Sequence, residues 1–283
     1  MAISNALTVD VEDYFHVSAF SENIDRQAWG SHPLRVDNNT RRMLDMFDEF
    51  DVRATFFVLG WVAERQAQLI REISERGHEV ACHGYSHQLV YNQTPDVFRE
   101  ETLLSKKILE DIVQTSVRGY RAASYSITSR SIWALDILAE AGFQYDSSIF
   151  PIRHDRYGIP HAPLYPHRMT TRNGHSLVEF PLSTARFLHF RLPMAGGGYF
   201  RLYPYWLSRA GLKQINKQNK PFIFYLHPWE IDPGQPRVSA SWLSRFRHYN
   251  NLEKCEPRLR NLLSEFTFDT AASVLEQQGL ISD

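Results

Sequence analysis

Short apolar runs alternate along the chain with longer segments in which apolar residues recur every three or four positions. Ala6–Val11 is apolar and runs into acids, the pattern of a first strand. Between Thr40 and Phe50 the residues Met43, Leu44, Phe47 and Phe50 share one helical face. Ala54–Leu59 is apolar and β-rich, and reads as a buried strand. Glu64–Arg76 places Leu69, Ile70 and Ile73 on one face, with Gly77 where a helix C′ residue belongs. Glu79–Cys82 is the next strand, and Thr94-Pro95 opens a helix with threonine as N-cap and proline at its first position. A strand over Val117–Tyr120, a helix over Ser129–Ala141 closed by Gly142, and strands near Phe143–Tyr145 and Leu177–Pro181 follow. A helix over Tyr205–Asn216 leads to the apolar strand Phe222–Leu226, and helices over Pro257–Phe266 and Thr270–Gln278 end the chain. Strand–helix alternation of this kind predicts an α/β fold with a mainly parallel sheet, open or closed as a barrel. Ile152–Arg172 is a loop long enough to point to a functional role.

Composition narrows the function classes. The 283 residues carry 31 Lys+Arg against 32 Asp+Glu, a net charge of −1, which argues against a nucleic-acid or membrane-surface binder. With 18 Phe, 13 Tyr and 6 Trp there are rings enough to fill a large core or line a groove that stacks sugars. Two cysteines make neither a disulfide framework nor a cysteine-based zinc finger. The first residues lack the basic-then-apolar order of a signal peptide, and no apolar run is long enough to span a bilayer. The expected placement is cytoplasmic, at most peripheral to the inner membrane.

The polar residues that end the strands are the most informative feature. Asp10, Glu12 and Asp13 follow the first strand, His83 and His87 the third, then Arg121, Asp146 and His227 follow later ones. In α/β barrels and open α/β sheets that edge binds ligands, so chain-distant residues can converge there. His83-Gly-Tyr-Ser-His87 sets two imidazoles four residues apart, a workable spacing for a metal; the plainer reading is a pair of surface histidines. Two histidines with one carboxylate leave coordination positions open, as in a catalytic metal site. Asp10, Glu12 and Asp13 then divide the labour of ligand and general base, with Glu12 and Asp13 not separable as ligand. His227 ends a fully apolar strand, where it is either a general acid or a core histidine bonded to a carbonyl. Asp146 could hold His227 protonated, and Arg121 could fix the base carboxylate.

With these motifs in view, the sequence resembles the polysaccharide deacetylases of the NodB-homology class (carbohydrate esterase family 4), and in particular their exopolysaccharide- and exosortase-associated branch. Thr8–Phe15, His83–His87, Arg118–Tyr125, Tyr145–Ser148 and Leu226–Trp229 stand in the order of that family's five motifs, and Gly196–Arg201 is similar to that branch. Two departures stand out: Asp10-Val11-Glu12-Asp13 replaces adjacent acids, and Ala123 stands where a proline is usual. The resemblance implies a single-domain deformed (β/α)7 barrel, taken as residues 1–235, with a C-terminal helical extension, 236–283, packed on it. It implies a divalent metal, zinc before others, held by His83 and His87 with Glu12 or Asp13. Asp10 would be the general base oriented by Arg121, and His227 the general acid tuned by Asp146. Tyr125, Tyr85 and Trp229 are the expected substrate contacts, with Tyr14, Phe15 and Tyr199 as further candidate walls. The implied reaction removes N-acetyl groups from amino sugars of a poly- or oligosaccharide or its lipid-linked precursor, with no nucleic-acid partner. A metal-dependent amidase or imidase on the same barrel and a catalytically inactive carbohydrate-binding protein are the alternatives.

Overall fold

The computed structural model describes residues 3–187 and 190–282. The chain runs β1 (Ser4–Val11), α1 (Val36–Glu49), β2 (Thr55–Val58), α2 (Gly60–Arg65), α3 (Ala67–Glu75), β3 (Glu79–Cys82) and α4 (Pro95–Val113). It continues through β4 (Gly119–Tyr120), α5 (Ala134–Glu140), β5 (Tyr145–Asp146), β6 (His167–Thr170), β7 (Ser176–Glu179) and the hairpin β8 (Thr184–Phe187) and β9 (Phe190–Pro193). Then come α6 (Gly197–Leu202), α7 (Tyr205–Asn216), β10 (Ile223–Leu226), α8 (Trp242–Tyr249), α9 (Leu252–Glu265), β11 (Thr267–Asp269) and α10 (Ala271–Gln277).

Seven strands lie in the order β10-β1-β2-β3-β4-β5-β7 and all pair in parallel, with β6 antiparallel on the outer edge of β7. Side chains alternate across this sheet. Val9, Val11, Phe56 and Val58 pack in the layer toward the helices, while Ala6, Phe57, Ala81, Ile223 and Tyr225 pack in a second, inner cluster. The seam between β7 and β10 is filled by the chain that follows β7. Ser183 Oγ accepts the Ile223 N–H at 2.8 Å, and the Tyr225 N–H donates to the Ala195 carbonyl at 2.6 Å. Gly196 bridges Tyr225 with φ of 120°, and a Cβ there would lie 2.0 Å from the Tyr225 carbonyl oxygen, so only glycine closes the seam. The result is the expected α/β barrel, deformed at one seam.

α10 stops the end of the barrel opposite the strand C-termini. Its first N–H groups, those of Ala271 and Ala272, donate to Thr55 Oγ1 at 2.7 Å and Glu79 Oε2 at 3.1 Å, side chains that begin β2 and β3. The C-terminal edge of the strands is the one α10 does not cover.

Several segments differ from the sequence expectation. The helix expected over Glu64–Arg76 is two helices broken at Gln66, whose φ and ψ of −129° and 40° are not helical. The helix expected from Ser129 begins at Ala134, because Ser131 Oγ takes the Thr128 N–H at 2.9 Å and holds a turn instead. The last helix but one starts before Pro257 and runs through it. The described part of the expected helical extension, residues 236–282, is not helical alone: β11 pairs with the start of β1, Ser4 opposite Thr267, and so belongs to the sheet. No helix among the described residues is long and apolar enough to cross a membrane.

Candidate active site

Four strand ends supply the site. Asp10 faces inward near the end of β1, and Glu12, in the turn that follows the strand, borders the same cavity. His83 comes directly after β3, Arg121 after β4 and His227 after β10. Asp10, Glu12, His83 and His227 border a cavity of about 160 Å3 that Tyr125, Tyr157, Tyr225 and Trp229 help to line, with Arg121 buried behind Asp10.

Glu12, His83 and His87 each offer one ligand atom, and the three atoms lie within 4.8 Å of one another. All three residues are buried. His83 Nδ1 is 2.8 Å from the Arg121 carbonyl. A carbonyl only accepts, so Nδ1 carries the proton and Nε2 keeps its lone pair for a ligand. Burial presses the His83 pKa down to about 4, which keeps the ring neutral and able to ligate. His87 takes a left-handed backbone, φ 52°, unusual for a β-carbon residue and a frequent mark of a functional position. Glu12 Oε2 lies 2.9 Å from His87 Nε2 yet has no hydrogen-bond donor. Burial raises the Glu12 pKa, but the charges of His87 and His227 outweigh it and hold the carboxyl far below its usual range. An ionised carboxylate with one oxygen, Oε2, lacking a donor and facing two imidazoles is a donor set that fits a divalent cation with coordination positions open.

Asp13 does not join this set. Its Oδ1 accepts the Tyr14 N–H at 2.9 Å and its Oδ2 accepts the N–H groups of Arg35 and Val36 at 2.6 and 2.8 Å. It ties the chain after β1 to the start of α1. The turn after β1, in which the Glu12 N–H donates to the Asp10 carbonyl at 3.0 Å, leaves Glu12 beside the imidazoles and sends Asp13 to α1.

Two ion pairs flank the ligand group. Arg121 Nη1 donates to Asp10 Oδ1 at 2.6 Å and to Thr8 Oγ1 at 2.8 Å, while Nη2 donates to Ser147 Oγ at 3.0 Å. The guanidinium also lies 4.0 Å over the Phe57 ring. On the other side, His227 Nε2 is 3.1 Å from Glu12 Oε1 and 3.9 Å from Asp10 Oδ2. Its Nδ1 sits 2.7 Å from Glu230 Oε1, and Glu230 Oε2 takes Arg201 Nε at 2.6 Å. The imidazole stacks on Trp229 at 4.9 Å and 20°. Burial alone would lower the His227 pKa, but Glu12, Glu230 and Asp10 together raise it to about 9, so the ring is protonated at neutral pH.

Glu230, not Asp146, is therefore the partner of His227. Asp146 bonds instead to Ser148, at 2.6 Å to Oγ and 3.1 Å to N–H, and pairs with Glu179. Tyr85 is also displaced from its expected place: its hydroxyl donates to Glu64 at 2.7 Å, outside the cavity that Asp10 and His227 border. Tyr125 and Trp229 do line that cavity, Tyr199 lines a neighbouring cleft, and Tyr14 and Phe15 are core. Glu230 and Arg201 had no role assigned from the sequence. The signal was present in His227-Pro-Trp-Glu230: a carboxylate three residues on can accept the His227 N–H, as Glu230 does at 3.1 Å, and reach the ring as well. Arg201 ends the glycine-rich stretch that the resemblance had marked.

The Asp146–Glu179 pair makes stability depend on pH. Both carboxyls are fully buried; burial raises Asp146 to about 6 and pushes Glu179 well above its usual value, so the two hold a proton between them. An unfolded aspartate titrates near 4. Between these values the pair binds more protons in the folded chain than in the unfolded one, so the stability it contributes is fully present below about pH 4 and is lost as pH rises through about 6. The expected result is a fall in the thermal unfolding midpoint from pH 5 to 7 that Asp146→Asn flattens. An equal slope in wild type and variant would remove the shared proton from the account.

Comparison with known proteins was made on this geometry. Residues 29–145 match the family "Polysaccharide deacetylase", and residues 147–276 match "Domain of unknown function (DUF3473)". The chain is 29% identical over 108 residues to a peptidoglycan deacetylase of Helicobacter pylori, covering 38% of this chain and 36% of that protein. It is 37% identical over 100 residues to a chitooligosaccharide deacetylase of Sinorhizobium fredii, covering 35% and 44%. The chain thus spans less than half the length of these curated relatives. A solved structure from Mycobacterium smegmatis, named as a polysaccharide deacetylase, superposes with a TM-score of 0.65 at 21% identity, over 98% of this chain and 90% of that one. The allantoinase Puue superposes with 0.61 at 15% identity, over 99% and 92%. These two likenesses speak for the fold alone. Residues 29–145 of this chain thus carry a polysaccharide deacetylase domain, and the DUF3473 segment over 147–276 completes the barrel that the deacetylase match begins.

Proposed function

We propose that the protein is a metal-dependent hydrolase that removes N-acetyl groups from amino sugars of a polysaccharide or its lipid-linked precursor. One observation carries this reading: a three-donor group, Glu12, His83 and His87, lies between a carboxylate held by arginine and an imidazole held by glutamate. Glu12, His83 and His87 would hold the ion, with Zn²⁺ favoured by two imidazoles and a carboxylate, and a bound ion of this kind polarises a carbonyl and acidifies water.

The chain's own groups do the rest. Asp10 takes the proton of the attacking water, and Arg121 holds its Oδ1 so that Oδ2 stays free to accept. His227 carries the proton that the departing amine needs, with Glu230 fixing the ring at Nδ1 and leaving Nε2 as the donor. Trp229 holds the plane of that ring. Tyr125, Tyr157 and Tyr225 are the faces against which a sugar ring can pack.

The test is acetate release from N-acetylated chitooligosaccharides, run beside ring opening of cyclic imides. Acetate should appear, vanish on chelation and return when Zn²⁺ is restored. Imide hydrolysis without acetate would transfer the site to the amidase reading, and turnover indifferent to chelation would reject metal dependence.

A further inference from the structure

A second, larger cleft of about 410 Å3 opens beside the catalytic cavity and shares Ser18, Ser124, Tyr157 and Tyr225 with it. Its other sides come from the long loop after β5, from α6 and from α8. His154, Arg156 and Arg247 line it and, among the described residues, no aspartate or glutamate does, so its charge is of one sign. The nearest acid in sequence, Asp155, pairs with His154 Nδ1 at 2.9 Å. Arg156 and Arg247 form no side-chain ion pair among the described residues; their backbones alone are bonded, at the Arg156 N–H and the Arg247 carbonyl. Unpaired guanidiniums in a cleft are matched to carboxylate or phosphate oxygens.

The cleft also presents ring faces. Tyr157 stacks on His154 at 3.8 Å and 7°, and Phe246 stacks on Trp242, which is 76% exposed, at 5.5 Å and 14°. Flat faces beside cations are what a charged sugar chain requires. The wall is fixed to the reacting end through Arg201. That guanidinium donates to the carbonyls of Arg247, His248 and Asn250 at 3.1, 2.8 and 2.7 Å, and to the glutamate that holds His227.

We propose that this cleft is a specificity subsite for an anionic group, a uronate carboxylate or a phosphate, carried on the glycan beside the sugar that loses its acetyl group, with Arg156 and Arg247 as its contacts. The proposal rests on the deacetylase reading for the reacting sugar, but binding can be measured apart from turnover. The experiment is calorimetric titration of wild type and the double variant Arg156→Gln/Arg247→Gln with three probes: chitohexaose, a hyaluronan hexasaccharide and UDP-N-acetylglucosamine. Both arginines are exposed, so the variant should fold as wild type does. Wild type should bind one anionic probe at least tenfold more tightly than chitohexaose, with the preference shrinking as salt rises. The double variant should lose that preference while its affinity for chitohexaose moves less than twofold. Which probe carries the preference tells carboxylate from phosphate. Equal affinities in wild type and variant would overturn the proposal. So would a variant that loses binding to vesicles of anionic lipid while its saccharide affinities stand. Tight anionic binding without acetate release from any substrate would keep the subsite and sink the deacetylase reading instead.

Discussion

Asp10→Asn is expected to lower acetate release by about a thousandfold, within the 10²–10⁴ that general-base catalysis supplies, while the protein keeps its metal and its fold. The asparagine can still accept from Arg121 Nη1 through its carbonyl oxygen, so the buried guanidinium that Asp10 meets at 2.6 Å stays partnered. What disappears is the anionic oxygen turned toward the cavity, the one 3.9 Å from His227 Nε2. Asp10 is not among the three ligand-donor residues, so metal stoichiometry should stay at the wild-type value. The check is kcat at saturating zinc beside elemental analysis of the same sample. A variant within tenfold of wild type would take the base assignment from Asp10.

Arg201→Leu should destabilise the fold by about 3–5 kcal/mol, the usual effect of leaving one partner of a buried ion pair uncompensated. Arg201 and Glu230 are 1% and 0% exposed, and Arg201 also satisfies the carbonyls of Arg247, His248 and Asn250. Removing it strands Glu230 Oε2 and three carbonyl acceptors at once. Adding Glu230→Gln should recover part of the loss, because a neutral amide is easier to leave buried than a charge. Urea unfolding of both variants is the measurement. A loss under about 1 kcal/mol for Arg201→Leu, the size of an exposed ion pair, would show that the pair does not anchor this end of the barrel.

The strand ends were legible because parallel strands are buried on both faces and stand out as apolar runs, and their first polar residue marks the ligand-binding edge. That placed Asp10, His83, Arg121 and His227 together before any coordinates. Choosing between Glu12 and Asp13 needed the turn after β1, in which the Glu12 N–H bonds the Asp10 carbonyl at 3.0 Å and the next carboxylate swings to α1. The pairing of His227 with Glu230 was local enough to be read, but the family pattern drew attention to Asp146. The resemblance marked the stretch that Arg201 ends, but not its role: its partners are 29 to 49 residues away, after β10 and at the end of α8, and only the tertiary fold brings them in range. Strand β11 was too short, at three residues, to show alternation, and its place beside β1 is a tertiary fact.

Elemental analysis of the purified protein, wild type beside His83→Ala, Glu12→Gln and Asp13→Asn, tests the core of this account most directly. One divalent ion per chain is expected in wild type and in Asp13→Asn, with occupancy lost in the other two. A wild type that takes up no ion when supplied with zinc, or His83→Ala and Glu12→Gln variants that keep a full complement, would contradict it.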